Sequence, residues 1–459
     1  ELSIELERGP EELCAKRLTI TDEESNAVLA LCISSDAIEF GFKGDLGAET
    51  IKRLFHKDLR LSGSLEGDVS GRIASSHLAG LTADGTLTVR DLCYTPARGV
   101  PVRVESAVMD AKGDILQVKT AAIRLQETPY DLKGNVVLTG GELQLDLDLS
   151  ASDIDWDSLR SSLASWETET DDREKTATSG ESFLGMPVRG TVRVHAGQFT
   201  SGDTTWKPFQ ARLTFTPNGL GAEVTDARLC SIPTPARIIP SDEGRLLILN
   251  LNARDLDLDP ALSCLWDRRV VVTGTFDLKG ELSATLDQGK MSRTLQGSLE
   301  LLARDGRVYH STLLIRIFSL LSVADIFRGK LPDLVKEGCA YSSIQAGFTL
   351  KNGRLLIDEA VFDGSCAKMV GTGEIELESQ KVNITVLVSP LRTVEQVIGY
   401  IPLAERILGG SPLSIPVQVG GDLSNPTVTA VSPSAVASGL FDSMKKAFRL
   451  PFMLRQPLQ

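Results

Sequence analysis

The sequence predicts a mainly β protein: an elongated antiparallel sheet curled into an open apolar groove, taco- or solenoid-like, with short helices in its C-terminal third. Three observations carry that expectation. Apolar and polar residues alternate with period two from end to end, turn-forming dipeptides recur at short intervals, and one stretch is echoed about a hundred residues later.

Leu143, Leu145, Leu147 and Leu149 interleave with Gln144, Asp146 and Asp148, and Val382, Ile384, Val386 and Val388 with Asn383, Thr385 and Leu387. A strand points successive side chains to opposite faces, so each such segment has one apolar face. Asp84-Gly85, Lys112-Gly113-Asp114, Asn218-Gly219, Glu243-Gly244 and Asn352-Gly353 punctuate the pattern and favour hairpins over crossover helices. The echo joins Leu145–Leu159 (LDLDLSASDIDWDSL) to Leu247–Leu262 (LILNLNARDLDLDPAL). Stacked β units of this kind gain length at constant cross-section.

The 459 residues exceed the roughly 250–300 at which a single core stops growing, which favours elongation over a compact fold. So many strands cannot stay flat; they curl, split or close, and curling yields a groove. About two dozen strands at about 4.8 Å each would extend on the order of 100 Å.

The organisation expected along the chain is a first β-groove unit over 1–165, a disordered acidic linker over 166–181, a second unit over 182–295, and a module of strands and three helices over 296–459. The linker reads ETETDDREKTATSGE from Glu167 and has no apolar period. The helical patterns are confined to the last third: Thr312–Arg328 before Gly329, Leu391–Leu408 interrupted by Pro402, and Ser434–Leu450 opened by Ser432-Pro433. The third helix places Val436, Leu440, Phe441, Met444 and Phe448 at helical spacing, with Lys445, Lys446 and Arg449 on other faces. Two readings fit it equally: a membrane-contact helix working through Leu440, Phe441, Met444, Lys445, Lys446 and Phe448, or a helix docked on the sheet end.

Composition narrows the function classes. A net charge of −13 is the wrong sign for neutralising phosphates along nucleic acid, which is not expected as a partner. The same acidity opposes broad adhesion to anionic lipid, so any membrane contact must be local and apolar. Aromatics make up 5%, which leaves an aliphatic interior, and no apolar run reaches the 18 residues of a bilayer span. Glu1 opens inside a strand-like alternation of Leu2, Ile4 and Leu6, from which an upstream part carrying a membrane anchor is expected.

The seven cysteines are scattered without a C-x-x-C pair and are expected to be small buried apolar residues rather than a disulfide framework or zinc site. His56, His77, His195 and His310 form no ligand motif, and neither a phosphate-cradling glycine loop nor a nucleophile elbow is present. No metal, cofactor or catalytic residue is therefore expected. Asp153, Asp155 and Asp157, like Asp255, Asp257 and Asp259, begin like a calcium loop. They lack its glycine at six and glutamate at twelve, where Ser158 and Ala164, or Pro260 and Trp266, stand instead. Alternation would put these carboxylates on a solvated strand face, with Ile154 and Trp156, or Leu256 and Leu258, facing inward.

Four C-terminal stretches occur in order: DGRVYHSTLLIRIFSLLSVADIFRGKLPDL from Asp305, GCAYSSIQAGFTLKNGRLLIDEAVFDG from Gly338, GTGEIELESQKVNITVLVSPL from Gly371 and IPVQVGGDLSNPTVTAVSPSAVASGLFDSMKKAF from Ile415. Together they resemble the AsmA-like family, in particular its YhdP-type members, over residues 296–452. The resemblance implies a bridge-like lipid transfer protein of the Gram-negative envelope, anchored upstream in the inner membrane and crossing the periplasm. It further implies non-enzymatic phospholipid transport between inner and outer membranes, with the C-terminal helices facing the outer membrane and envelope partner proteins unidentified.

On that reading the groove is lined by Leu143, Leu145, Leu147, Leu247, Leu249, Leu251, Phe348, Leu350, Ile375, Leu377, Val382, Ile384, Val386, Ile415, Val417 and Val419. These would hold phospholipid acyl chains by non-directional burial, at about 0.8 kcal/mol per methylene. The alternatives are a β-sandwich scaffold of the envelope without lipid cargo, and an enzyme of glycosidase type, which would need paired carboxylates at a cleft.

Overall fold

A computed structural model describes residues 1–9, 12–54, 61–74, 80–94, 100–139, 141–167, 182–183, 186–217, 219–241, 244–265, 271–286, 291–322, 336–390, 414–436 and 438–449. The chain divides into two compact units, Glu1–Leu229 with Arg237–Pro240, and Cys230–Ala236 with Ser241–Gln459.

Unit 1 runs β1 (Leu2–Arg8), β2 (Glu12–Thr21), β3 (Asn26–Ser34), β4 (Ala37–Leu46), α1 (Ala48–Leu54), β5 (Leu61–Ala74), β6 (Thr82–Tyr94), β7 (Val102–Gly113), β8 (Ile115–Leu125), β9 (Thr128–Thr139) and β10 (Glu142–Asp155). It continues through α2 (Trp156–Glu167), β11 (Ser182–Phe183), β12 (Met186–Ser201), β13 (Thr204–Thr216) and β14 (Gly219–Leu229). Each strand from β1 to β10 pairs antiparallel with the next, as the turn signals predict. The pairing of β10 with β12 is parallel, an exception to the predicted antiparallel order. Its cause is the connection: the chain between Asp155 and Met186, which includes α2, has the length of crossover that parallel strands need.

After β15 (Ile232–Pro233) and β16 (Ala236–Ser241), unit 2 holds β17 (Gly244–Asp257), α3 (Leu258–Leu265), β18 (Val271–Val272), β19 (Thr275–Thr285), α4 (Met291–Thr294), β20 (Gln296–Tyr309) and α5 (Thr312–Ser322). Then come β21 (Cys339–Lys351), β22 (Arg354–Gly364), β23 (Ala367–Glu376), β24 (Lys381–Pro390), β25 (Ile415–Asp422), β26 (Asn425–Ala430) and α6 (Ser438–Arg449). β17 and β19 to β26 form an antiparallel sheet in chain order. Among the described residues β1 pairs with β2 alone and β26 with β25 alone. The fold is mainly β and its sheet is open.

Helices are not confined to the last third. The Asp ladders conceal two of them: Asp155 ends β10 and caps α2, its Oδ1 accepting the N–H groups of Asp157 and Ser158 at 3.0 Å each. Trp156 is consequently the first helical residue, 37% exposed, rather than an inward strand residue. The second ladder does the same job, ending β17 at Asp257 and putting Asp259 in the first turn of α3. Trp166 and Glu167, expected in the linker, belong to α2, and residues 168–181 lie outside the described residues. The helix expected over Thr312–Arg328 is described to Ser322, and the one expected over Leu391–Leu408 lies outside the described residues. Ser434–Leu450 is not one helix. A short 3-10 turn, Pro433–Ala435, is followed by extended Val436 and then α6, because a proline-led turn tightens and stops before the α-helix begins.

The cysteine expectation is overturned. Cys14–Cys32, Cys230–Cys264 and Cys339–Cys366 are disulfides, and Cys93 is the one free thiol among the described residues. Scattered sequence positions conceal what register creates: Cys14 and Cys32 are directly opposed partners on β2 and β3.

Two in-strand glycines show how neighbouring strands come close. A Cβ on Gly85 (φ +133°) would sit 2.0 Å from the Asp68 carbonyl oxygen, and one on Gly297 (φ +141°) 2.0 Å from that of Glu281. Only glycine permits this approach and the bend that goes with it. Gly297→Val should therefore lower the unfolding free energy by at least about 2 kcal/mol, read from denaturant midpoints; an unchanged midpoint would contradict the account.

Candidate functional site

Strand register gathers the apolar alternation onto one face. In unit 1 directly opposed partners run Ile4, Leu18, Leu29, Phe42, Val69, Gly85, Ala111, Leu116, Val136, Leu145, Gly190, Phe215 and Leu220, one from each successive neighbour. Leu143 and Leu147 share that face, being two positions from Leu145 on the same strand. In unit 2 one row is Leu249, Leu282, Gly297, Leu350, Leu355, Ile375 and Val382. The next is Leu251, Gly280, Leu299, Phe348, Ile357, Gly373, Ile384 and Val419. Val386 opposes Val417, Ile415 opposes Val388, and Leu247 opposes Ala284. Leu377, just beyond β23, packs with Leu251, Leu282 and Leu350. All sixteen predicted residues therefore lie along the apolar face of their own unit.

What covers that face differs between the units. In unit 1 the buried clusters consist of side chains from laterally adjoining strands, joined by one helix in two cases: Ile51 of α1, and Leu159 of α2. Among the described residues the cluster of Val89, Ala107, Val118 and Ala121 with Leu65, Leu87, Leu92, Val104, Met109, Ile123 and Leu132 has no second layer. The described neighbours of those four are side chains of adjoining strands, and all four are buried. No cluster in unit 1 joins opposed sheets among the described residues, unlike a β-sandwich core.

In unit 2 the protein fills part of the face itself. Leu258 and Ala261 of α3 and Leu314, Ile317 and Phe318 of α5 form one core with Ala253, Phe276, Ala303, Met369, Val388 and Val417. Arg316 of α5 holds the helix in place by donating to the Pro426 carbonyl and to Asn425 Oδ1. Val386, Ile415 and Val417 thus lie in the core that α5 completes.

α6 sits on the other face. Leu440 and Met444 are buried against Val370 and Leu387, with Phe441 half-buried beside them. Lys368 Nζ donates to the Ala447 carbonyl at 3.0 Å, where a cation suits a helix C-terminus. Lys445 pairs with Asp442 at 3.6 Å and Lys446 is exposed, while the Phe448 side chain lies outside the described set. In this position Leu440 and Met444 are spent on docking, which is the second of the two readings the sequence allowed for this helix.

The polar face is stitched by ion pairs between adjoining strands. Arg193 donates through Nε to Asp148 at 2.5 Å and through Nη1 to Asp146 at 2.8 Å; Arg304 Nη2 reaches Asp277 at 2.7 Å and Asp255 at 3.1 Å. In each case one guanidinium bridges two carboxylates. Arg193 pulls the Asp148 pKa below its ordinary value, so the pair's contribution is complete above about pH 4 and lost as pH falls through the depressed folded value. Asp148→Asn should flatten that part of the acid dependence of stability, measured as denaturant midpoints between about pH 5 and 2. An acid profile unchanged by the substitution would show that the pair contributes nothing.

Tyr341 donates to the Thr273 carbonyl at 2.6 Å and burial pushes its pKa up to about 12, so it stays a neutral donor at the helix end of unit 2. Among the described residues no group of three His, Cys, Asp or Glu is placed to hold a metal, and no helix is long and apolar enough to cross a membrane. Among the described residues the geometry offers extended apolar contact.

Sequence reasoning missed α1, the disulfides and the self-filling of unit 2. Ala48–Leu54 lacked a detectable signal because seven residues show too little of a helical period, although Ile51 is fully buried. No curated protein and no solved structure matches the chain. Residues 250–428 do match a family model, described as YhdP protein, and over that segment the chain is similar to this AsmA-like family.

Proposed function

We propose that this chain carries phospholipid between the inner and outer membranes of a Gram-negative envelope, without chemistry, by seating acyl chains along the apolar face of its sheet. The observation that carries the reading is the continuous row of apolar residues and glycines in unit 1, from Ile4 to Leu220, on which no opposed sheet packs among the described residues. Hydrocarbon gains about 0.8 kcal/mol per buried methylene wherever it lies on such a row, so a chain can slide without leaving one deep well for another. The family match supports an envelope setting. So do three disulfides, which persist in oxidising compartments such as the periplasm.

The test is native mass spectrometry of the chain purified from Gram-negative cells. Copurifying phospholipid is expected, and its consistent absence from gently released protein would overturn the proposal in favour of a lipid-free scaffold.

A further inference from the structure

Exposure along the apolar face of unit 1 is graded, and the gradient has a direction. On β3, Ala27 beside α1 is 1% exposed, whereas Leu31 and Ile33 towards the next hairpin are 43% and 45% exposed. On β10, Ile154 at the α2 end is 3% exposed and Leu147 9%, while Leu143 and Leu145 at the hairpin end are only half-buried. On β8, Val118 and Ala121 are buried and Leu116, next to the Gly113-Asp114 turn, is 36% exposed.

The connections explain the direction. α1 follows β4 and α2 follows β10, and antiparallel pairing through β4 to β10 puts both strand ends on the same margin of the sheet. From there Ile51 and Leu159 fold over the apolar face. The opposite margin carries the connections from β3 to β4, β7 to β8 and β9 to β10 and bears no α-helix among the described residues of unit 1. At that margin Arg8 opposes Leu13, which is 53% exposed, so a cation stands at the wet end of the same face.

We infer that a glycerophospholipid on unit 1 lies with a fixed polarity along the strand direction, its acyl chains directed to the helix-bearing margin and its phosphate headgroup at the hairpin margin. This rests on the lipid-carrying reading above and adds to it where the headgroup travels. An ionised phosphate cannot enter the margin closed by Ile51 and Leu159 without losing its hydration. At the hairpin margin it keeps water and meets Arg8. A hydrocarbon tail has the opposite preference, because the helix-bearing margin gives it contacts on more than one side.

The test uses the full chain and vesicles of phosphatidylethanolamine and phosphatidylglycerol. These are doped with a phosphatidylethanolamine bearing a photoreactive diazirine either on the headgroup nitrogen or at the methyl end of one acyl chain. After irradiation, crosslinked peptides are mapped by mass spectrometry. The headgroup probe should label the turn residues 34–37 and 112–114 several-fold more than residues 47–51 and 154–159, and the tail probe should reverse that ratio. Headgroup labelling that is equal at both margins, or heavier beside α1 and α2, would overturn the polarity while leaving lipid carriage intact. Failure of the tail probe to label unit 1 at all would remove the carrier reading and this inference with it.

Discussion

Leu116→Asp and Leu145→Asp should each leave the chain folded and strip it of phospholipid. Both residues sit in the same opposed row, Leu116 against Val136 and Val136 against Leu145, on a face where no second sheet packs among the described residues. Leu116 is already 36% exposed, so its replacement should cost about 1 kcal/mol of stability or less. The effect on cargo is much larger. A carboxylate in the row must either lose its hydration against hydrocarbon or hold the acyl chain away, at a cost of several kcal/mol. Copurified phospholipid should fall at least tenfold, the change that about 1.4 kcal/mol of lost affinity produces. The readouts are lipid per protein by mass spectrometry and the denaturant midpoint. A variant that keeps its full lipid complement would show that cargo does not lie on this row.

Val417→Asp should do the reverse, unfolding the structure rather than emptying it. Val417 is fully buried in the core completed by α5, beside Val388 and Met369, so its replacement leaves a charge with neither water nor partner. An uncompensated buried charge costs about 3–5 kcal/mol, enough to shift the denaturant midpoint strongly and to expose α5 to protease. A folded, protease-resistant Val417→Asp protein would mean that α5 does not seal this part of the face. The contrast between Leu116 and Val417 separates what the chain leaves open from what it fills with its own side chains.

The strands were legible because period-two alternation is a local signal, and the hairpin dipeptides fixed their direction. Leu249, Leu350, Ile375 and Val382 could be assigned to one face from parity alone, and the register then placed them opposite one another or in line through Gly297 and Leu355. What was hidden depended on contacts distant in sequence. Cys339 and Cys366 become partners only once β21, β22 and the turn before β23 are assembled. Asp155 reads as another strand carboxylate until its Oδ1 is seen accepting two helix N–H groups. Nor does the sequence of α5 tell that Leu314, Ile317 and Phe318 turn onto the sheet's apolar face, since a helix apolar nearly all round can bury any side. Val386, Ile415 and Val417, expected to line an open groove, lie instead in the core that α5 completes.

The most direct measurement of the central claim is an experimental density map of the chain after equilibration with phospholipid vesicles, at a resolution that shows side chains. The account predicts rods of hydrocarbon density lying across Leu116, Val136 and Leu145 in unit 1. Protein side chains from an opposing sheet filling that space would contradict it.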